Sequence, residues 1–241
     1  TRHIPIIFLT ARGERADRLK GLGEVQAQNY LVKPFDIEEV HIIVKNQLED
    51  ARRKNQSHPV TNLPTADIIS EQMRGLLTSD GWAVALLHIN GFESFTQVYG
   101  GTVGEDVLKF TSLLLNDAIN EHGNDEDFLG HMIVGPEFLI TSTPERMRVL
   151  LDTIITRFDN EIGLHYNFKH REQGYIEVTD ETGQLRRLPL MSLSVGVLSS
   201  QDGPFYDIRE LGEILEETRQ RATTEAREQS RKSFAHYGRI A

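Results

Sequence analysis

The chain has 241 residues, 39% of them hydrophobic and 26% charged, with a formal net charge of −10 and no cysteine. That length holds one large or two ordinary domains with real cores, the composition is that of a soluble globular protein, and no apolar run approaches the ~20 residues a membrane span needs. Disulfides and thiolate metal sites are excluded, and the acidic balance disfavours broad nucleic-acid binding because it repels phosphate backbones.

Residues 4–10 form a continuous apolar run of the kind that a parallel sheet buries on both faces. The chain opens on this run with no start methionine and no secretory leader pattern, which reads as the remainder of a longer protein. A polar, helix-compatible segment from Ala11 to about Glu24 follows, and then a short strand, Tyr30-Leu31-Val32. Asp36 and Glu39 have the spacing of a capping box. They precede a helix with the apolar stripe Ile37, Val40, Ile43, Val44, Leu48, Ala51. Strand, helix, strand, helix is the order of a doubly wound α/β fold. His58-Pro59 stops that helix, and the turn-rich run up to Thr65 marks the domain boundary. The expected organisation is a first segment over residues 1–50, a connecting helix over 36–57 and a second domain over 58–241.

In the second domain a helix is expected from about Ala66 to Leu77 and an apolar strand from Trp82 to Ile89. A helix from about Val103 to Glu121 comes next. Phe128 to Ile133 and Phe138 to Thr141 read as a hairpin closed by a turn at Val134-Gly135-Pro136-Glu137. Thr143-Pro144 starts another helix, with a hydroxyl N-cap and proline at the first helical position. Strands are expected at Tyr175 to Val178 and at Leu188 to Leu198. Asp207 and Glu210 cap the last long helix, which runs to about Arg231. His165 and His170 are five apart, off a clean helical face, and read as surface or packing residues. The basic tail with Arg231, Lys232 and Arg239 reads as solvated.

Phe8-Leu9-Thr10-Ala11 followed by Tyr30-Leu31-Val32-Lys33-Pro34-Phe35 resembles the second half of a response-regulator receiver domain, over about residues 4–50. The resemblance implies that Thr10 hydrogen-bonds a phosphoryl group and that Lys33 pairs with its charge. It also implies that Lys33-Pro34 is a cis peptide and that Tyr30 is an aromatic that changes rotamer on activation. The ordinary alternatives are a strand end for Thr10, a turn for Lys33-Pro34 and core packing for Tyr30. A receiver carries its phospho-accepting aspartate and acidic Mg²⁺ pair on earlier strands, so those are expected upstream of Thr1 in the parent reading frame.

Residues 58–234 resemble a GGDEF domain, the fold of diguanylate cyclases. His58-Pro59-Val60-Thr61-Asn62-Leu63-Pro64 is similar to the opening turn Asp-x-Leu-Thr-Gly-Leu-Pro. His88-Ile89-Asn90-Gly91-Phe92 is similar to the strand end Asp-Ile-Asp-x-Phe. Tyr99-Gly100-Gly101, Gly104-Glu105 and Leu193-Ser194-Val195-Gly196-Val197 match further segments in order. The implied fold is α/β with a mixed central sheet, behind a partial doubly wound receiver fragment.

Cyclase chemistry joins two GTP molecules by attack of a 3′-hydroxyl on an α-phosphate, with hard divalent metals held by carboxylates. The resemblance puts those carboxylates at His88 and Pro136. Neutral imidazole is a poor Mg²⁺ ligand, and proline has no ligand atom in its side chain. The signature here is Val134-Gly135-Pro136-Glu137-Phe138, and Val134 puts a β-branched side chain where the family has glycine. Thr96 stands at the base-binding asparagine and Glu105 at the base-binding aspartate. Glu93 stands at the phosphate-side lysine, where it would repel a triphosphate. Arg227 and Arg231 match the two basic phosphate contacts and could bind phosphate bidentately, though a solvated helix face is the ordinary reading. Asp125-Glu126-Asp127-Phe128 occupies the product-inhibition Arg-x-x-Asp position and has no arginine.

The expected protein is a cytoplasmic two-component signalling protein without a cofactor or resident metal. Its GGDEF domain is expected not to be an enzyme and to work through other signalling proteins or a homodimer, with neither membrane nor nucleic acid as partner. A nucleotide sensor using Arg227, Arg231 and the Gly91-Phe92 backbone is the second class, and an active cyclase with unusual ligands is the third.

Overall fold

The computed structural model describes residues 7–10, 29–54, 56–65, 67–179, 183–228 and 232–238. The expected helix from Ala11 to Glu24, the turn at 180–182 and Arg231 lie outside these residues. The chain divides into two units, residues 1–56 and 57–241.

In the first unit, β1 (Ile7–Thr10) and β2 (Asn29–Val32) pair in parallel, with Phe8 opposite Tyr30 and Thr10 opposite Val32. Parallel pairing suits the mostly apolar character of both strands. Leu31 is buried and Lys33, just beyond β2, is exposed. The Lys33–Pro34 peptide is cis. Helix α1 (Ile37–Lys54) follows, and the Asp36 carboxylate accepts a hydrogen bond from the Glu38 N–H at 2.9 Å. This satisfies one of the free N–H groups of the first turn.

The second unit is built on a five-stranded sheet in the order β4-β5-β3-β8-β9. Its strands are β3 (Ala83–Asn90), β4 (Phe128–His131), β5 (Glu137–Ser142), β8 (Ser192–Ser199) and β9 (Phe234–Tyr237). The β4–β5, β5–β3 and β3–β8 pairs are antiparallel and β8–β9 is parallel, so the sheet is mixed. Strand β3 is the middle strand, with Leu87 facing Phe138 on one side and Val195 on the other.

Helices cover both faces. Leu87, Ile89, Phe138, Leu193 and Val195 pack with the apolar stripes of α4 (Gly101–His122) and α5 (Pro144–Glu161). Val84, Leu139 and Leu198 pack on the other face with α2 (Asp67–Leu76) and α7 (Ile208–Glu228). The α5 stripe is buried through Met147, Leu150, Leu151, Ile154 and Phe158, and Thr143 caps that helix with Pro144 at its start. Asp207 caps α7 by accepting from the N–H groups of Arg209 and Glu210. Two shorter helices complete the unit, α3 (Phe92–Tyr99) and α6 (Phe168–Gln173).

Three expectations need correction, and one helix is added. Glu137 belongs to β5 rather than to the turn, because its register partner is His88 and its carbonyl accepts from the Met132 N–H. The turn is therefore Met132 to Pro136. The expected strand Leu188 to Leu198 is two strands. Strand β7 (Leu185–Pro189) pairs only with β6 (Tyr175–Thr179) as a separate hairpin, and β8 joins the main sheet. Proline has no N–H for a ladder, so Pro189 is a natural end for β7. Helix α3, between Phe92 and Tyr99, is a separate helix that the sequence did not delimit. The basic tail also contributes a strand, β9, instead of remaining entirely solvated.

Gly196 lets α7 approach β8 closely. A Cβ there would collide with the Arg219 backbone nitrogen and sit 2.6 Å from the Leu215 carbonyl oxygen. Gly212, in the same helix, has open space around it. Gly196→Ala is expected to destabilise the unit by about 2 kcal/mol, because helix backbone must move. Gly212→Ala is expected to stabilise it by about 0.5 kcal/mol through lost chain entropy. Urea unfolding of both variants checks the contrast, and equal shifts would contradict the close approach.

Candidate functional site

The end of β3 and the hairpin turn beside it bring the signature residues together. His88 and Glu137 are register partners on β3 and β5, and their side chains meet with Nδ1···Oε1 at 2.7 Å. The two side chains are 19% and 27% exposed, so the pair is partly screened rather than dry. Pro136 is buried, and its carbonyl accepts from the Ile89 N–H at 3.3 Å, which ties the turn to the end of β3. Gly135 has φ of 93°, and a Cβ on it would collide with the Glu137 carboxylate. The left-handed φ is what favours glycine at 135, because the carboxylate is the far end of a flexible side chain. Val134 is 81% exposed and forms an apolar crown with the exposed Met132 and Ile133. Phe138 is fully buried under the turn.

A second polar group lies on the same face of the sheet. Asn90 bonds Ser192 and Ser194, both at 3.2 Å, and the Arg219 guanidinium donates to the Ser194 hydroxyl at 3.0 Å. Arg219 also holds Glu216 bidentately at 2.5 and 2.7 Å. Burial pushes the Glu216 carboxyl up. Hydrogen bonds from Arg219 and Gln220 and the charges of Arg219 and His88 outweigh burial and leave it below its ordinary range. Sequence reasoning missed this network. An arginine three residues after a glutamate on a helix reads as a surface pair, and only the fold reveals that α7 lies over Ser194.

The remaining expected positions are less closely gathered. The Thr96 hydroxyl is turned back to the Glu93 carbonyl at 2.8 Å, and Glu93 and Glu105 are exposed. Asp127, in the product-inhibition stretch, is engaged with Arg146 at 3.5 Å and caps the Asn124 N–H at 2.9 Å. His170 bonds the Tyr99 hydroxyl, and His165 packs on the Phe110 ring, consistent with packing roles. Arg227 lies in α7, but its side chain, like those of Thr10 and Tyr30, is outside the description. Among the described residues no cluster of three or more His, Asp or Glu side chains is arranged to hold a metal. No described helix is long and apolar enough to cross a membrane.

Two further histidines link the hairpin to the opening turn. The His131 ring is fully buried, stacked between His58 at 3.7 Å and Phe138 at 4.1 Å. Burial, and then the neighbouring His58 charge, pull His131 down to about 4, partly opposed by its bond to the Gly135 carbonyl. Burial lowers His58 as well.

No protein-family model matches the chain. By sequence it is similar to the transcriptional activator protein IrlR of Burkholderia pseudomallei, 40% identical over 82 residues, which are 34% of this chain and 34% of that protein. The chain thus spans about a third of that relative's length. By structure it is similar to the coiled coil and GGDEF domain of DgcB from Caulobacter crescentus, with a TM-score of 0.53 at 15% identity over 82% of this chain and 94% of that one. It is also similar to the diguanylate cyclase SiaD of Pseudomonas aeruginosa, solved with its activator SiaC. There the TM-score is 0.52 at 16% identity over 92% of this chain and 74% of that one.

The second unit has the GGDEF-domain fold. A response-regulator-like segment precedes it, which agrees with the receiver resemblance of the first residues. Within this GGDEF-type fold, His88 and Glu137 lie where β3 and β5 meet the signature turn. A double-mutant cycle of His88→Ala and Glu137→Ala is expected to give a coupling of roughly 0.5–1 kcal/mol, in keeping with a partly exposed pair. Additive unfolding free energies would show that the 2.7 Å contact contributes nothing.

Proposed function

We propose that the GGDEF-type unit does not condense GTP and works as a protein-interaction or dimerisation module of a cytoplasmic two-component signalling protein. The observation that carries this reading is the fate of the carboxylates. Glu137, the acid that remains in the signature, is engaged by His88, and the neighbouring family metal position is the buried Pro136. A hard divalent metal needs oxygen ligands free to approach it, and the end of β3 and the signature turn offer an imidazole–carboxylate pair and a buried proline instead. Exposed Glu93, at the position of the phosphate-side lysine, adds repulsion for a triphosphate.

An interaction role draws support from the fold's relatives. DgcB carries a coiled coil beside its GGDEF domain, and SiaD was solved with an activator protein. In this chain α1 is an 18-residue helix directly before the second unit, with Ile37 and Ile42 exposed. Phosphorylation of an intact parent receiver would act through this helix to change pairing.

Incubation of the full chain with GTP and Mg²⁺ or Mn²⁺ is expected to yield no cyclic di-GMP above a protein-free blank, measured by chromatography beside an active GGDEF protein. Product formation would overturn the reading. Calorimetric titration with GTP and ATP separates the nucleotide-sensor class. No heat is expected, whereas saturable heat lost in Arg227→Ala with Arg231→Ala would replace the interaction role with nucleotide sensing.

A further inference from the structure

The opening turn is closed on itself by backbone bonds, His58 N–H to the Leu63 carbonyl and Asn62 N–H to the His58 carbonyl, both at 2.8 Å. Asn62 sits at φ of 58°, the left-handed region. The turn attaches to the edge strand β4 through the His131 N–H, which donates to the Pro64 carbonyl at 2.9 Å. Val60 and Leu63 pack on the core that Leu129 and Phe138 help to form. Among the described residues, the side-chain hydrogen bonding and ring stacking between the turn and the hairpin pass through imidazole rings. His58, His131 and Phe138 form a three-layer stack, with ring planes 25° and 17° apart, and both histidines are buried.

The hydrogen bonds fix the protonation state of the middle ring. His131 Nε2 lies 3.2 Å from the Gly135 carbonyl oxygen, which can only accept, so Nε2 carries a proton. Nδ1 lies 3.0 Å from the Thr61 hydroxyl and accepts from it in the neutral ring. One neutral tautomer therefore satisfies both nitrogens and joins Thr61 of the opening turn to Gly135 of the signature turn. His58 Nδ1 likewise accepts from the Val60 N–H at 3.3 Å.

We propose that His58 and His131 form an acid-sensitive clamp between the opening turn and the signature hairpin, and that protonation opens both segments together while the rest of the sheet stays folded. The groups facing the His131 ring are His58 and Thr61 from the opening turn, Gly135 from the signature turn and Phe138 from β5. Among these only His58 can titrate, and it too gains positive charge in acid. Among the described residues no carboxylate bonds either ring. A proton on Nδ1 reverses the sense of the Thr61 bond, and two protonated rings 3.7 Å apart repel in a site with little water.

The lowered value of about 4 for His131 fits this geometry. The unfolded or detached ring titrates near 6.5, so it binds a proton before the clamped ring does. The clamp is then fully effective above pH 6.5 and weakens as pH falls from 6.5 to 4. The GGDEF opening turn has aspartate where this chain has His58, so the acid sensitivity comes from this chain's own residues.

The test is hydrogen–deuterium exchange of the full chain between pH 7.5 and 4, corrected for the intrinsic pH dependence of amide exchange. Peptides covering residues 57–65 and 131–137 are expected to gain at least tenfold in exchange over one shared pH interval below 6.5. Peptides from β3 and β8 should change little. His131→Phe, which can stack but cannot be protonated, should remove the joint opening. His58→Phe should move it to lower pH. The proposal is overturned if the two segments open at different pH values, or if His131→Phe opens as the wild type does. It is also overturned if the His131 ring of the wild-type chain, followed by NMR, titrates near 6.5. That last measurement needs no variant, so it decides even if His131→Phe fails to fold.

Discussion

Strand β3 is hydrogen-bonded along both edges from Ala83 to His88, to β5 on one side and β8 on the other, and the pairing with β8 runs on to Asn90. A strand paired on both sides cannot slip by one residue without turning its apolar set to the wrong face. Leu87 and Ile89, both without exposed surface, point to one core. Leu86, His88 and Asn90 then face the opposite side, the first packing in the second core and the other two at its polar end. The position of His88 against Glu137, and of Asn90 against Ser194, follows from that register. So does the place where the signature turn begins, because the ladder bond from Ile89 to Pro136 closes the strand at the turn.

Much of this was legible in the residues. Trp82 to Ile89 is an apolar run bounded by turn residues, Thr143-Pro144 announces α5, and Asp207 with Glu210 announces α7. These signals are local, and the structure keeps them. Asp207 accepts from the Arg209 and Glu210 N–H groups, and the Glu210 carboxylate reaches back to the Tyr206 N–H. The failures lie where pairing across long sequence separation decides. Phe234 to Tyr237 is too short and too mixed to read as a strand, and it becomes one because β8 offers a free edge. Leu188 to Leu198 reads as one apolar strand, yet Pro189 ends one hairpin and Ser192 starts a central strand.

The site was legible as substitutions and not as contacts. The resemblance placed His88, Pro136 and Val134 at altered positions, but no spacing rule says that His88 and Glu137 touch. Their sequence separation is 49 residues, and only the antiparallel register sets them opposite each other. His58 reads in the sequence as the residue before a helix-breaking proline and as the first position of the opening-turn resemblance, and nothing there singles out His131. A lone histidine near an apolar strand is ordinary, and its significance here comes from a partner 73 residues away whose ring it stacks on.

The signature that remains can be explained by the mechanics of the hairpin. Gly135 is held by its left-handed φ of 93°. Glu137 is held by His88, and Phe138 fills the core beneath the turn against the His131 ring. Val134 is free to be β-branched because its side chain points into solvent. Pro136 is buried and has no N–H to contribute, and its carbonyl is the acceptor for Ile89. Gly135, Glu137 and Phe138 thus each answer a local demand of the hairpin, whereas the exposed Val134 side chain answers none.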